Sequence, residues 1–204
     1  MTTTTERATR SQEDKFSARR RMLAQSALAA LAERGFASTG LRDIAHHSSL
    51  SHGSLHYYFD DKDDLIAEAV WAFKSTCARR YDEIVATATD CTELATQVAA
   101  LMATTLRKDA ALHRLWYDLR NQALFGRGFG STIVRIDELL QEMVWSIVAR
   151  YSELHGSPSR FEPAFAYALV DGLFQHALIS FLRGDLDAPE RLQRECAALL
   201  ASAV

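Results

Sequence analysis

Between Ser51 and Phe59 the chain places two histidines and two tyrosines, and an acidic run around Lys62 follows at once. Three chemistries use such a set. His52 and His56 stand four apart, a spacing at which two imidazoles on one helical face can share a zinc ion. Imidazole beside hydroxyl groups is also the material of general acid–base catalysis. Planar and hydroxylated side chains on an exposed helix can instead read base edges in a DNA major groove. "HGSLH" lacks the glutamate of the zinc-protease motif, and although His46 and His47 are near, no third ligand stands at an evident spacing, so no metal is expected. Neither GxSxG nor a glycine-rich phosphate loop occurs, so no catalytic residue and no cofactor are expected. The remaining readings are contact with nucleic acid and a merely solvated polar face.

The elements that must carry these residues are helices. Prolines number three and glycines nine, alanine and leucine dominate, and strand-like alternation is scarce. A first helix is expected after Ser11, with Asp14 in a weak capping box and Phe16, Met22, Leu23, Ala27, Leu28 and Leu31 on one face. Thr39 is positioned to cap a short helix "LRDIAHHS", Ser51 a second, "HGSLHYYF", and Asp61 a long one over 62–86. Two short helices joined by a tight turn make a helix-turn-helix, its crossing fixed by Leu41, Ile44, Ala45, Leu50, Leu55 and Phe59. Free N–H groups at Thr39, Ser51 and Asp61 suit phosphate, Lys62 adds a point charge there, and Arg19, Arg20 and Arg21 add attraction. Five more helices are expected at 92–107, 109–125, 132–155, 162–183 and 189–203, separated by "GRGFG", "HGSPS" and "RGDLDAP". The fold class is all-α with nine helices: a three-helix head, then a helical body.

Charge agrees with this division. The net charge is −3, but residues 1–60 hold eight Lys/Arg against six Asp/Glu, so the head is +2 and the rest −5. Only the head suits phosphate. Cys77, Cys91 and Cys196 have no ligand spacing and read as reduced, buried thiols. The start has no apolar signal segment and no apolar run approaches 18 residues, so a cytoplasmic protein with no membrane contact is expected.

"GFASTGLRDIAHHSSLSHGSLHYYFDDKDDL" resembles the DNA-binding head of the TetR family of transcriptional regulators. The resemblance is carried by Gly35-Phe36, Thr39, Ile44-Ala45, Ser51, Gly53, Leu55, Phe59, Lys62 and Leu65, and covers about the first third of the chain. The turn reads "SSLS" where the family favours "AGVS", and His56 replaces a tyrosine. The polar, threonine-rich start is expected to form a disordered arm at 1–12, and the resemblance implies a helix-turn-helix domain at 13–60 and an effector-binding and dimerisation domain at 61–204. It implies double-stranded operator DNA as partner, met through Thr39, Arg42, Ser51, His52, Gly53, Ser54, His56, Tyr57 and Lys62. It further implies a homodimer paired through the last two helices, and a small-molecule effector held among the middle ones. Candidates for that pocket are Trp116, Tyr117, Arg120, Asn121, Phe125, Met143, Trp145, Tyr167, Asp171 and Gln175. Tyr167, Asp171 and Gln175 share one helical stripe. The two tryptophans suit a core better than a ligand pocket, and Arg120 also suits a partner such as Asp171 or Glu142. The expected function is a ligand-responsive regulator, a repressor released by its effector. The alternatives are a helical enzyme built on His113 or His176 with Asp171, and a ligand-independent DNA-binding protein.

Overall fold

The computed structural model describes residues 4–34, 40–47, 52–126 and 129–204, and every regular element among them is an α-helix. In chain order these are α1 (Thr4–Arg34), α2 (Leu41–His47), α3 (His52–Tyr58), α4 (Lys62–Arg79), α5 (Asp82–Thr87), α6 (Cys91–Ala123), α7 (Gly130–His155), α8 (Pro163–Leu182) and α9 (Ala188–Ala201). The chain forms two compact units. One comprises 1–73 with 115–132, the other 74–114 with 133–204. In this division α4 and α6 each contribute to both units.

In the first unit α1 packs on α2 and α3. Leu23, Ala27 and Leu31 of α1, Ile44 of α2, Leu55 and Phe59 at α3, and Leu65 and Ile66 of α4 are all buried. These are the positions that helical periodicity assigns to a common face. The expected N-cap of α4 forms: the Asp64 N–H donates to Asp61 Oδ1 at 2.8 Å. At α2 the residue before the helix is Gly40, whose N–H donates to Asp43 Oδ2 at 2.8 Å, half of a capping box. Thr39 and Ser51, expected caps and phosphate sites, lie outside the described residues, as does the turn between α2 and α3.

Three expectations change. The helix expected after Ser11 starts at Thr4, in place of an arm over 1–12, because Glu6, Arg7, Ala8 and Arg10 are good helix formers and no glycine or proline intervenes. The helix expected over 62–86 stops at Arg79 and resumes as α5, with Arg80 and Tyr81 N–H bonded to the Cys77 and Ala78 carbonyls in a tightened turn. The helices expected at 92–107 and 109–125 are one, bent at Asp109, whose φ of −116° and ψ of 16° are not helical.

The second unit is built on apolar stripes: Leu94, Val98, Met102 and Leu106 on α6, then Ile133, Ile136, Leu140, Val144, Ile147 and Tyr151 on α7. Helices α7 and α8 end at glycines in left-handed conformation, Gly156 (φ 75°) and Gly184 (φ 96°). After each, paired N–H groups return to the last helical carbonyls, Ser157 to Ser152 and Asp185 to Ser180, which closes both helices as Schellman turns. Pro163 and Pro189 sit in first helical turns, where a missing N–H costs nothing. Helix α8 packs on α9. Contrary to the expectation from uninterrupted apolar runs, α8 is long and apolar enough, by length and composition, to cross a membrane. Asp171 is the one Asp, Glu, Lys or Arg among its twenty residues, and a single charge breaks a run without changing the average.

Candidate functional site

The head presents α3 with its apolar residues inward and its polar ones outward. Leu55 and Phe59 are buried, while Gly53, His56 and Tyr57 are exposed, Tyr57 at 71%. His52 and Ser54 belong to α3, but their side chains lie outside the description. Tyr57 is steadied by neighbouring rings, Tyr58 at 4.9 Å and Phe16 of α1 at 5.9 Å between centroids, both edge-on. Arg42 of α2 is also exposed. Lys62, the first residue of α4, is half-buried; burial lowers its pKa, against the opposing pull of Asp63 and Asp43. Arg19 and Arg21 are exposed, whereas Arg20 turns toward α4.

The expected pocket residues are divided between the two units. Trp116 is fully buried, Tyr117 is buried, Asn121 is exposed and Phe125 is 81% exposed. The Arg120 guanidinium lies 5.8 Å from the Trp116 ring centroid. These five belong to the first unit and Met143, Trp145, Tyr167, Asp171 and Gln175 to the second. In the second unit, Met143 lines an apolar cavity of about 30 Å³ with Tyr81, Met102, Val170, Cys196 and Leu199 among others. Trp145 lines a separate open groove with Phe161, and the Tyr167 hydroxyl donates to Asp137 Oδ1 at 2.5 Å. Asp171 and Gln175 are half-buried.

The sequence profile described as bacterial regulatory proteins of the tetR family matches residues 23–69, the span from the buried half of α1 through the exposed face of α3 into α4. The head therefore resembles that of a TetR-family transcriptional regulator. The head is 38% identical over 74 residues to the transcriptional repressor KstR2 of Rhodococcus jostii, a match spanning 36% of each chain. Over 189 residues, 85% of each chain, the protein is 25% identical to the transcriptional regulator PksA of Bacillus subtilis. Its fold matches that of the Bacillus subtilis regulator FadR, solved with stearoyl-CoA, at a TM-score of 0.67 and 15% identity, covering 89% of this chain and 97% of that one.

The body also holds a polar cluster that periodicity did not foretell. Lys74 and His113 are buried, and the Lys74 Nζ lies 3.2 Å from His113 Nδ1. Arg80 Nη1 donates to Asp109 Oδ2 at 2.6 Å. Cys77, Asp109 and His113 each offer a ligand atom, all within 4.8 Å of one another, a geometry that would admit a metal ion. Two fixed cations face the cluster, however, and a divalent ion would have to displace both from their acceptors. The His113 ring also meets the Phe174 ring at 4.6 Å between centroids, tilted by 52°. The available signal was a set of polar residues inside apolar stripes, Lys74 and Cys77 on α4 and Asp109 and His113 four apart on α6.

Proposed function

We propose that this regulator binds a near-palindromic DNA operator as a homodimer, acts as a repressor in the cytoplasm, and is released by a largely apolar small molecule. The observation that carries the reading is the exposed face of α3, with Gly53, His56 and Tyr57 turned away from buried Leu55 and Phe59. Such a face lies naturally in a major groove. One copy reads too few base pairs, and a two-fold pair doubles the site.

The dimer surface is drawn from α8. Phe165, Ala168, Gly172, His176, Ile179 and Leu182 recur at three- and four-residue steps, and all are exposed in the single chain. Their small central residues permit close approach of a mate, and an apolar stripe of this length calls for cover. The effector reading draws on the cavity around Met102, Met143 and Cys196 and on the stearoyl-CoA held by the similarly folded FadR. Ligand pockets of drug-sized molecules run to roughly 300–1,000 Å³, so binding here requires the helices to part.

The test is selection of bound fragments from random duplex DNA, followed by a screen of metabolites, acyl-CoA esters included, for release. An inverted repeat is expected. Tyr57→Ala should change the selected sequence. Lys62→Ala should weaken all sequences alike and reduce the salt slope by about 0.9. Selection of no sequence by the intact chain, or an unchanged profile for Tyr57→Ala, sinks the base-reading assignment.

A further inference from the structure

Three consecutive arginines occupy 19–21, and by charge alone all three serve DNA phosphates. Their surroundings differ. Arg19 and Arg21 are exposed. Arg20 sends one guanidinium to three hydrogen-bonding residues on two helices at once. Its Nη1 donates to the carbonyl of Tyr58, the last residue of α3, at 2.8 Å. Its Nη2 pairs with Asp64 and its Nε with Glu68 at 3.4 Å, both on α4. The guanidinium carbon stands 4.6 Å from the Phe59 ring centroid. Asp64 is fastened from its other oxygen, which accepts the Asp60 N–H at 3.2 Å. The side chain is 26% exposed, so this is a semi-buried junction. Burial opposes the charge, yet Asp64 and Glu68 outweigh it and raise the Arg20 pKa above its ordinary value.

We propose that Arg20 is a positioning residue for DNA recognition, which fastens the recognition helix α3 to the first turns of α4 and spends none of its charge on phosphate. Two facts make the junction consequential. Helix α3 has seven residues, too few to hold its own shape, and its final carbonyls have no intrahelical donor. Arg20 supplies a donor to one of them, next to the exposed Tyr57. The acceptors lie in several directions around one planar group, so five N–H donors in a fixed fork can meet them together. A lysine at this position reaches them only singly. With two carboxylates on it, Arg20 already has its counter-ions, and releases none on DNA binding.

The test compares Arg20→Lys and Asp64→Asn with Arg21→Ala in the full-length chain. Hydrogen exchange is read across α1, α3 and α4, and DNA affinity is read against salt. In Arg20→Lys and Asp64→Asn, the α3 amides from Leu55 to Phe59 should exchange faster while the middle of α1 keeps its protection. The ratio of operator to random-sequence affinity should fall at least about fivefold, the cost of one mismatched base pair, at unchanged salt slope. Unaltered α3 exchange in Arg20→Lys overturns the proposal, whatever the DNA result. So does a salt slope reduced by about 0.9 with the affinity ratio kept, which marks a phosphate ligand. If the wild-type chain selects no operator, base reading fails, and the exchange experiment still decides what Arg20 does.

Discussion

Arg80 and Asp109 form an ion pair of 2.6 Å between two interrupted helices. Arg80 follows directly on the end of α4, and Asp109 is the bent residue of α6. The hydrogen bond to Asp109 raises the Arg80 pKa, against its partial burial. Both interruptions thus share one charged contact, which holds the turn and the bend together within the second unit. The side chains are 35% and 18% exposed, so solvent screens the pair in part. A double-mutant cycle of Arg80→Ala and Asp109→Ala should give a coupling of about 0.5–1 kcal/mol in urea unfolding. A coupling indistinguishable from zero shows that backbone packing alone sets the bend.

Next to that pair, Lys74 and His113 meet in the interior at 3.2 Å. An ammonium has no acceptor, so a charged Lys74 must donate to Nδ1, which requires a neutral ring. Burial first, then Lys74 and Arg80, press the His113 pKa well below its ordinary value of 6.5. Below about pH 6.5 the unfolded chain therefore takes up a proton that the folded chain refuses. Stability from this group is complete above that pH and falls as the medium is acidified, at most by about 1.4 kcal/mol per pH unit. His113→Gln should flatten the pH dependence of unfolding between pH 7.5 and 5.5, whatever its effect on absolute stability. Parallel curves for the two proteins would rule the assignment out.

The cysteines should differ in reactivity. Burial pushes the Cys196 thiol up to about 12, and its Sγ sits 3.2 Å from Met102 Sδ. Burial also raises Cys77. Cys91 is half-buried, with its Sγ 3.6 Å from the Tyr151 carbonyl. A thiolate reagent at pH 8 should label Cys91 first, and the other two only on unfolding. Peptide mapping after a timed pulse checks this, and early label on Cys196 would mean that the cavity opens in the native state.

Much of the head was legible because its signals are short-ranged. The Asp61 cap, the buried Leu55 and Phe59 and the outward Tyr57 follow from spacings of three and four along one or two helical turns. The breaks at Gly156 and Gly184 were legible for the same reason, since the turn residues of "HGSPS" and "RGDLDAP" mark them, although their Schellman geometry was not. The break after Arg79 was not, because no glycine or proline marks it; a buried Tyr81 and an ion pair to a residue on another helix do.

By itself the sequence determined the helical class, the exposed face of α3 and the family resemblance of the head, since local backbone and side-chain preferences act within a turn or two. Tertiary structure alone decided that Arg20 turns inward between two exposed arginines. It likewise decided that Trp116 is core, and that Met102 and Cys196 border a cavity. Those outcomes depend on which face of a helix meets another segment 44 residues away, as for Arg20 and Asp64, or 94 away, as for Met102 and Cys196. Every face of an apolar helix satisfies the periodicity, and only close packing against distant partners selects among them.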